Sequence, residues 1–124
     1  MSRFEKLNGR VVTWAKSKEI LAKEGVSGKA TPLTQLDKTI EEVLELREAL
    51  VAQNNNLDHY INSKGVTVNT QEQIKDGIGD IDVTIKIQAK MQNLDPLDCL
   101  ESALDVIEKR NGEMRNGVFV KNKE

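Results

Sequence analysis

The stretch Thr70-Gln71-Glu72-Gln73-Ile74-Lys75-Asp76-Gly77-Ile78-Gly79-Asp80-Ile81-Asp82-Val83-Thr84-Ile85-Lys86-Ile87 decides the fold class. Its β-branched residues invite a strand, above all at Thr84-Ile85-Lys86-Ile87. Yet Ile74, Ile78, Ile81 and Ile85 recur at steps of four, three and four, the spacing of one helix face. The sustained period predicts a long helix, opened by a capping pair of Thr70 and Gln73.

The same period runs outward in both directions. Upstream, Thr31-Pro32 supplies an N-cap and a first-turn proline. Leu33, Leu36, Ile40, Val43, Leu46 and Leu50 then outline an apolar stripe ending near Gln53, and Asn54-Asn55-Asn56 breaks it. Further upstream, Phe4, Leu7, Val11 and Trp14 mark a first helix, capped by Ser2 with Glu5 and expected to run to about Ala22, with Gly25 as its stop. Downstream, Asp95-Pro96 opens a last helix with Leu97, Leu100, Leu104 and Ile107 on its buried face and Gly112 at its end. Residues 57–61 are expected as a short helix, 63–69 as a loop, and 113–124 as a polar tail in which Val118, Phe119 and Val120 dock on the body. Four amphipathic helices predict an all-α, four-helix-bundle-like single domain over residues 1–124.

Composition narrows the function classes. The chain has 124 residues, 38% apolar but only 3% aromatic, so its core is aliphatic. Charged residues reach 31% with a net charge of −2, against the basic excess of a nucleic-acid polymer binder. One cysteine, Cys99, allows neither an internal disulfide nor a cysteine-rich zinc site. No apolar run approaches the length needed to span a bilayer and no signal-peptide pattern opens the chain, which predicts a soluble cytoplasmic protein without membrane partners. The lone His59 lacks a Ser or Cys partner in recognisable context, and no Walker-type loop is present.

Chemistry concentrates in carboxylates. Glu41, Glu45 and Glu48 fall on one side of the second helix, and Glu42 and Glu45 lie three residues apart, able to aim at one point. Such carboxylates repel unless a hard divalent cation bridges them; the alternative is a solvated acidic face paired with Lys38 and Arg47. On the third helix Asp80 lines up with Val83, Ile87 and Met91, opposite the isoleucine stripe, with Asp76 one turn earlier. A carboxylate among buried apolar groups requires a partner, either a metal or a neighbouring Lys or Arg. Other candidates each have two readings. Trp14 stacks a base or packs in the core, and Lys109 and Arg110 meet phosphate or complement a helix end.

Gln35-Leu36-Asp37-Lys38-Thr39-Ile40-Glu41-Glu42-Val43-Leu44-Glu45-Leu46-Arg47-Glu48-Ala49, followed by Asp76-Gly77-Ile78-Gly79-Asp80, resembles the MazG-type all-α nucleoside triphosphate pyrophosphohydrolases, which carry Glu-Glu-x-x-Glu on one helix and Glu-x-x-Asp on the next long one. The stretch from Cys99 to Lys121 and the segment Val12-Thr13-Trp14-Ala15 are similar to short, phage-type members. The resemblance implies Mg²⁺-dependent hydrolysis, with Mn²⁺ as a substitute, of a nucleoside triphosphate to monophosphate and pyrophosphate in a homodimer. It implies Glu42, Glu45 and Asp80 as metal ligands. Glu41 or Asp76 would accept the proton of the attacking water, and Trp14, Lys38, Lys109 and Arg110 are the expected substrate contacts. The chain departs from the pattern at Gly77, where the family has Glu, and at Asp105 and Glu108, where it often has Asn and Lys. Those departures fit an alternative expectation, a catalytically degraded homologue acting as a nucleotide-binding or protein-interaction module. A purely structural helical dimer is a further one.

Overall fold

The computed structural model of the chain describes residues 1–23 and 28–122. The chain is mostly helical, as the periodicity predicts, with four helices and two small antiparallel hairpins among the described residues. It divides into two compact units, Met1–Asn93 and Leu94–Glu124. No helix among the described residues is long and apolar enough to cross a membrane.

The first unit holds α1 (Arg3–Ser17), α2 (Pro32–Asn54), β1 (His59–Ile61), β2 (Thr67–Asn69) and α3 (Thr70–Met91). Its caps follow the sequence closely. The Ser2 hydroxyl accepts from the Glu5 N–H at 3.1 Å, and Thr31 and Thr34 cap each other reciprocally, 3.1 Å and 2.8 Å. α1 stops at Ser17 rather than near Ala22, because Glu19 takes a left-handed conformation (φ 60°). The N–H groups of Ile20 and Leu21 then turn back to the Ala15 carbonyl, which tucks Leu21 into the core. The expected stop at Gly25 lies outside the described residues. That core consists of Ala15, Leu21, Ile87 and Met91, flanked by Val11, Val12, Ile20, Ala30 and Val83.

Residues 57–69 correct the sequence reading: they form a hairpin instead of a short helix and a loop. His59 pairs with Asn69 and Ile61 with Thr67. The turn is closed by Gly65 in the left-handed region (φ 79°), and the Asn62 side-chain carbonyl accepts from the N–H groups of Lys64 and Val66 at 3.0 Å each. α3 is capped by Asn69 rather than Thr70, its side chain accepting from Glu72 N–H at 3.0 Å. Thr70 is buried instead, and its hydroxyl donates to the Leu57 carbonyl at 2.6 Å, fastening α3 to the segment that follows α2.

The faces that α2 and α3 turn toward each other are not the large aliphatic stripes. α2 buries Gln35, Thr39, Glu42, Ala49 and Ala52; α3 buries Thr70, Gly77, Thr84, Ile87, Ala89 and Met91. Gln35 and Thr39 meet Thr84, while Leu46 meets Gly77, so the two helices run antiparallel. Small side chains let the backbones approach. The Thr84 hydroxyl donates to the Ile81 carbonyl at 2.7 Å, leaving its oxygen to accept from Thr39 at 2.9 Å. The Gln35 amide donates to the Thr84 carbonyl at 3.2 Å. Leu33, Leu36, Ile40, Val43 and Leu50 on α2, and Ile78 and Ile85 on α3, are exposed in the single chain. The apolar period thus places the helices correctly, but it marks their flank rather than their contact.

The second unit holds α4 (Pro96–Ile107), capped by Asp95 accepting from Leu97 N–H at 2.8 Å, and a hairpin of β3 (Gly112–Arg115) and β4 (Val118–Lys121). α4 ends five residues before Gly112, and the expected polar tail is this hairpin. Its two-residue turn, Asn116-Gly117, has φ 50° and 81°, the signature of the turn that matches strand twist. Leu97, Leu100, Leu104, Val118 and Phe119 are exposed.

Candidate functional site

The antiparallel α2–α3 pair determines where the carboxylates lie. Glu42 belongs to the inward stripe of α2, one turn after Thr39, and is only 8% exposed. One of its carboxylate oxygens, Oε1, lies 3.2 Å from the Lys38 ammonium; the other, Oε2, is buried without a hydrogen-bond partner. Leaving such an oxygen unsatisfied costs about 1–3 kcal/mol. Glu41, exposed, receives the same ammonium at 3.3 Å. Burial alone would lower the Lys38 pKa. Its hydrogen bonds and charge interactions with Glu42 and Glu41 outweigh that and hold it above the ordinary lysine value.

Glu45 and Asp80 stand beside Glu42 electrostatically. Burial comes first in pushing the Glu45 carboxyl above the usual range, followed by the charge and closeness of the Glu42 carboxylate, with Lys64 opposing. Asp80 is raised first by burial, then by the charges of Glu42 and Asp76, with Lys38 opposing. The charge of Glu42 on α2 is thus felt by Asp80 on α3. One expectation is corrected: Asp80 is exposed, not sunk among apolar groups. The core contacts on that side of α3 begin at Val83, one turn later, where α1 packs. Asp76, likewise, is exposed.

Gly77 stands where the Glu-x-x-Asp pattern has Glu, and the packing accounts for it. A Cβ there would lie 3.2 Å from both Cβ and Cδ1 of Leu46. Any side chain at 77 would enter the α2–α3 contact.

The hairpin tip adds groups that the sequence reading passed over. The Glu48 carboxylate accepts from the Ser63 N–H at 2.9 Å and its hydroxyl at 3.2 Å, and Lys64 reaches to 3.8 Å from Glu45. Glu45, Glu48, Tyr60, Ser63, Lys64 and Gln73 line a small cavity of about 100 Å³. The Tyr60 hydroxyl is raised by burial and by the charges of Glu48 and Glu45. Gly65 flanked by two β-prone triplets was the available signal for this element.

The remaining candidates lie elsewhere on their elements. Trp14 is about half exposed on α1 and lines a groove with Phe4, Leu7, Val11, Asp82 and Lys86, so it is not a core residue. Asp82 pairs with Lys86 at 2.6 Å, and the Lys86 ammonium sits 5.3 Å over the Phe4 ring. Lys109 and Arg110 follow α4 in the second unit and line a cavity there with Asp105, Asn111 and Lys121.

Among the described residues, no group of three or more His, Cys, Asp or Glu side chains is arranged to hold a metal ion. The donor chemistry nonetheless suits a hard cation: oxygen ligands only, one of them an orphaned buried carboxylate oxygen. Compared with protein-family models, curated proteins and solved structures, the chain matches none of them.

Proposed function

We propose that the chain is a MazG-type nucleotide pyrophosphohydrolase that cleaves a nucleoside triphosphate between the α- and β-phosphates, releasing a monophosphate and pyrophosphate. The observation that carries this reading is Glu42: a carboxylate buried between α2 and α3, with one oxygen unpartnered and two further carboxyls, Glu45 and Asp80, that feel its charge. Glu42, Glu45 and Asp80 would hold Mg²⁺ or Mn²⁺. When bound, such an ion neutralises phosphate charge and makes water a better nucleophile. Glu41 and Asp76, exposed beside these groups, are placed in sequence to accept a proton from water. Lys38 binds phosphate oxygens as a point charge, with Trp14 as a further substrate contact; Lys109 and Arg110 line a cavity of their own in the second unit.

The second reading, a degraded homologue that binds nucleotide or another protein without turnover, is favoured by Gly77, which supplies no fourth carboxylate and packs tightly on Leu46. In either case the partner of first rank is a second copy of this chain. The exposed stripe of Leu36, Ile40 and Val43 on α2, with Ile78 on α3, is what a dimer would cover.

The test is direct. Purified protein is given each common NTP and dNTP with Mg²⁺ or Mn²⁺, and pyrophosphate is measured. Release that is lost in Glu42→Gln and Asp80→Asn supports the enzyme. Nucleotide binding without release supports the second reading. Neither binding nor release overturns both.

A further inference from the structure

Lys38 precedes Glu42 by four residues and Glu41 by three. A helix gains least from this order, since a cation N-terminal to its anion opposes the macrodipole. The pair is therefore poorly explained as helix stabilisation. Yet the ammonium lies 3.2 Å from Glu42 Oε1 and 3.3 Å from Glu41 Oε1, bridging an exposed carboxylate and a buried one. It satisfies only one oxygen of Glu42; Oε2 stays buried without a partner. The other cation nearby, Lys64, is mostly exposed and 3.8 Å from Glu45, a surface pair of small energetic weight.

We propose that the Lys38 ammonium is the resident counter-cation of this carboxylate group, standing where a divalent ion binds, so that metal and Lys38 compete for Glu42. The proposal rests on the metal-binding reading above and adds what regulates it. The ammonium meets one oxygen of each of two carboxylates and leaves Oε2 out, whereas a divalent cation takes several oxygen ligands and can satisfy Oε2 as well. Metal entry displaces Lys38 from Glu42 and frees its charge for a phosphate, so metal and nucleotide load in an order. The side chain thus sets the metal affinity of the nucleotide-free protein, holding it below what the carboxylates alone would give.

The experiment is Mn²⁺ titration of the nucleotide-free full chain, read by loss of the free-ion electron paramagnetic resonance signal, for the wild type, Lys38→Met, Lys38→Gln and Lys38→Arg. The two neutral variants are expected to bind Mn²⁺ about tenfold more tightly than the wild type, and the arginine variant no more tightly. Far-UV circular dichroism confirms that each is folded, and two neutral side chains of different polarity guard against one failing to fold. Neutral variants that bind Mn²⁺ equally or more weakly, while the wild type binds, overturn the competition and leave the metal site intact. Absence of Mn²⁺ binding in the wild type and in every variant overturns the competition and the metal site together.

Discussion

Gly77 and Leu46 are in contact through the absence of a side chain: a Cβ on Gly77 would lie 3.2 Å from both Cβ and Cδ1 of Leu46, closer than such atoms ordinarily approach. The backbone of α3 therefore rests on α2 one turn from Glu42, and the spacing of the two helices at the carboxylate site is set here. Gly77→Ala is expected to destabilise by about 1 kcal/mol, overpacking outweighing the gain in helix propensity. In a Leu46→Ala background, where Cδ1 is gone and Cβ remains, Gly77→Ala should cost less than it does in the wild type. Urea unfolding of the two single variants and the double variant measures the coupling.

Gly79, two residues on, is the control. Nothing lies within 4 Å of a Cβ built there, so Gly79→Ala should stabilise by about 1 kcal/mol through helix propensity alone. The same denaturation series decides it. Destabilisation at Gly79 would show that the solvent side of α3 is covered in solution.

Glu45 and Asp80 titrate above the usual carboxylate range in the folded chain. The folded state therefore holds their protons more firmly than the unfolded state does. Their favourable contribution is complete below the unfolded carboxylate pKa and is lost as pH rises through the folded one. At pH 7 without metal, Glu45→Gln and Asp80→Asn should each raise the melting temperature slightly, by about a degree, since solvent screens both groups. The gain should disappear near pH 3.5. Scanning calorimetry at both pH values tests the sign, and Mn²⁺ should stabilise the wild type but not these variants.

The exposed apolar stripe predicts association. Ile40 and Ile78 are 50% and 60% exposed on α2 and α3, and aliphatic surface of that extent favours a partner. Light scattering should give twice the mass of one chain for the wild type. Ile40→Glu with Ile78→Glu should give the mass of one chain while keeping the helical circular dichroism.

Much of the fold was legible because helix ends carry chemistry in single residues. Ser2, Thr31 and Asp95 cap where expected, and the 3–4 spacing identified each helix against the pull of β-branched content. The contact face was harder to read. Hydrophobic periodicity favours large aliphatics, whereas the close α2–α3 approach is made by Thr39, Ala49, Gly77 and Thr84, whose value lies in small volume and side-chain hydrogen bonding. Both hairpins were missed for a related reason. Asn116-Gly117 and Gly65 are turn signals, but they sit between strands of three or four residues, too short for alternation to stand out beside long helices. At the candidate site, the spacing of Glu42 and Glu45 puts them on neighbouring positions of one helix. The burial of Glu42 alone among them depends on the register with α3, and one helix's sequence does not contain that register.

The Asn116-Gly117 turn also bears on how quickly the chain finds its shape. Every strand pairing described joins residues within a single hairpin, His59 with Asn69 at the widest, so sheet formation requires no distant segments to meet. Among the described residues, the packing of α3 on α2 and on α1 closes the long loops. Closing such loops costs chain entropy before their contacts reward it, so the slowest productive event here should be the docking of α3, Gly77 onto Leu46 included.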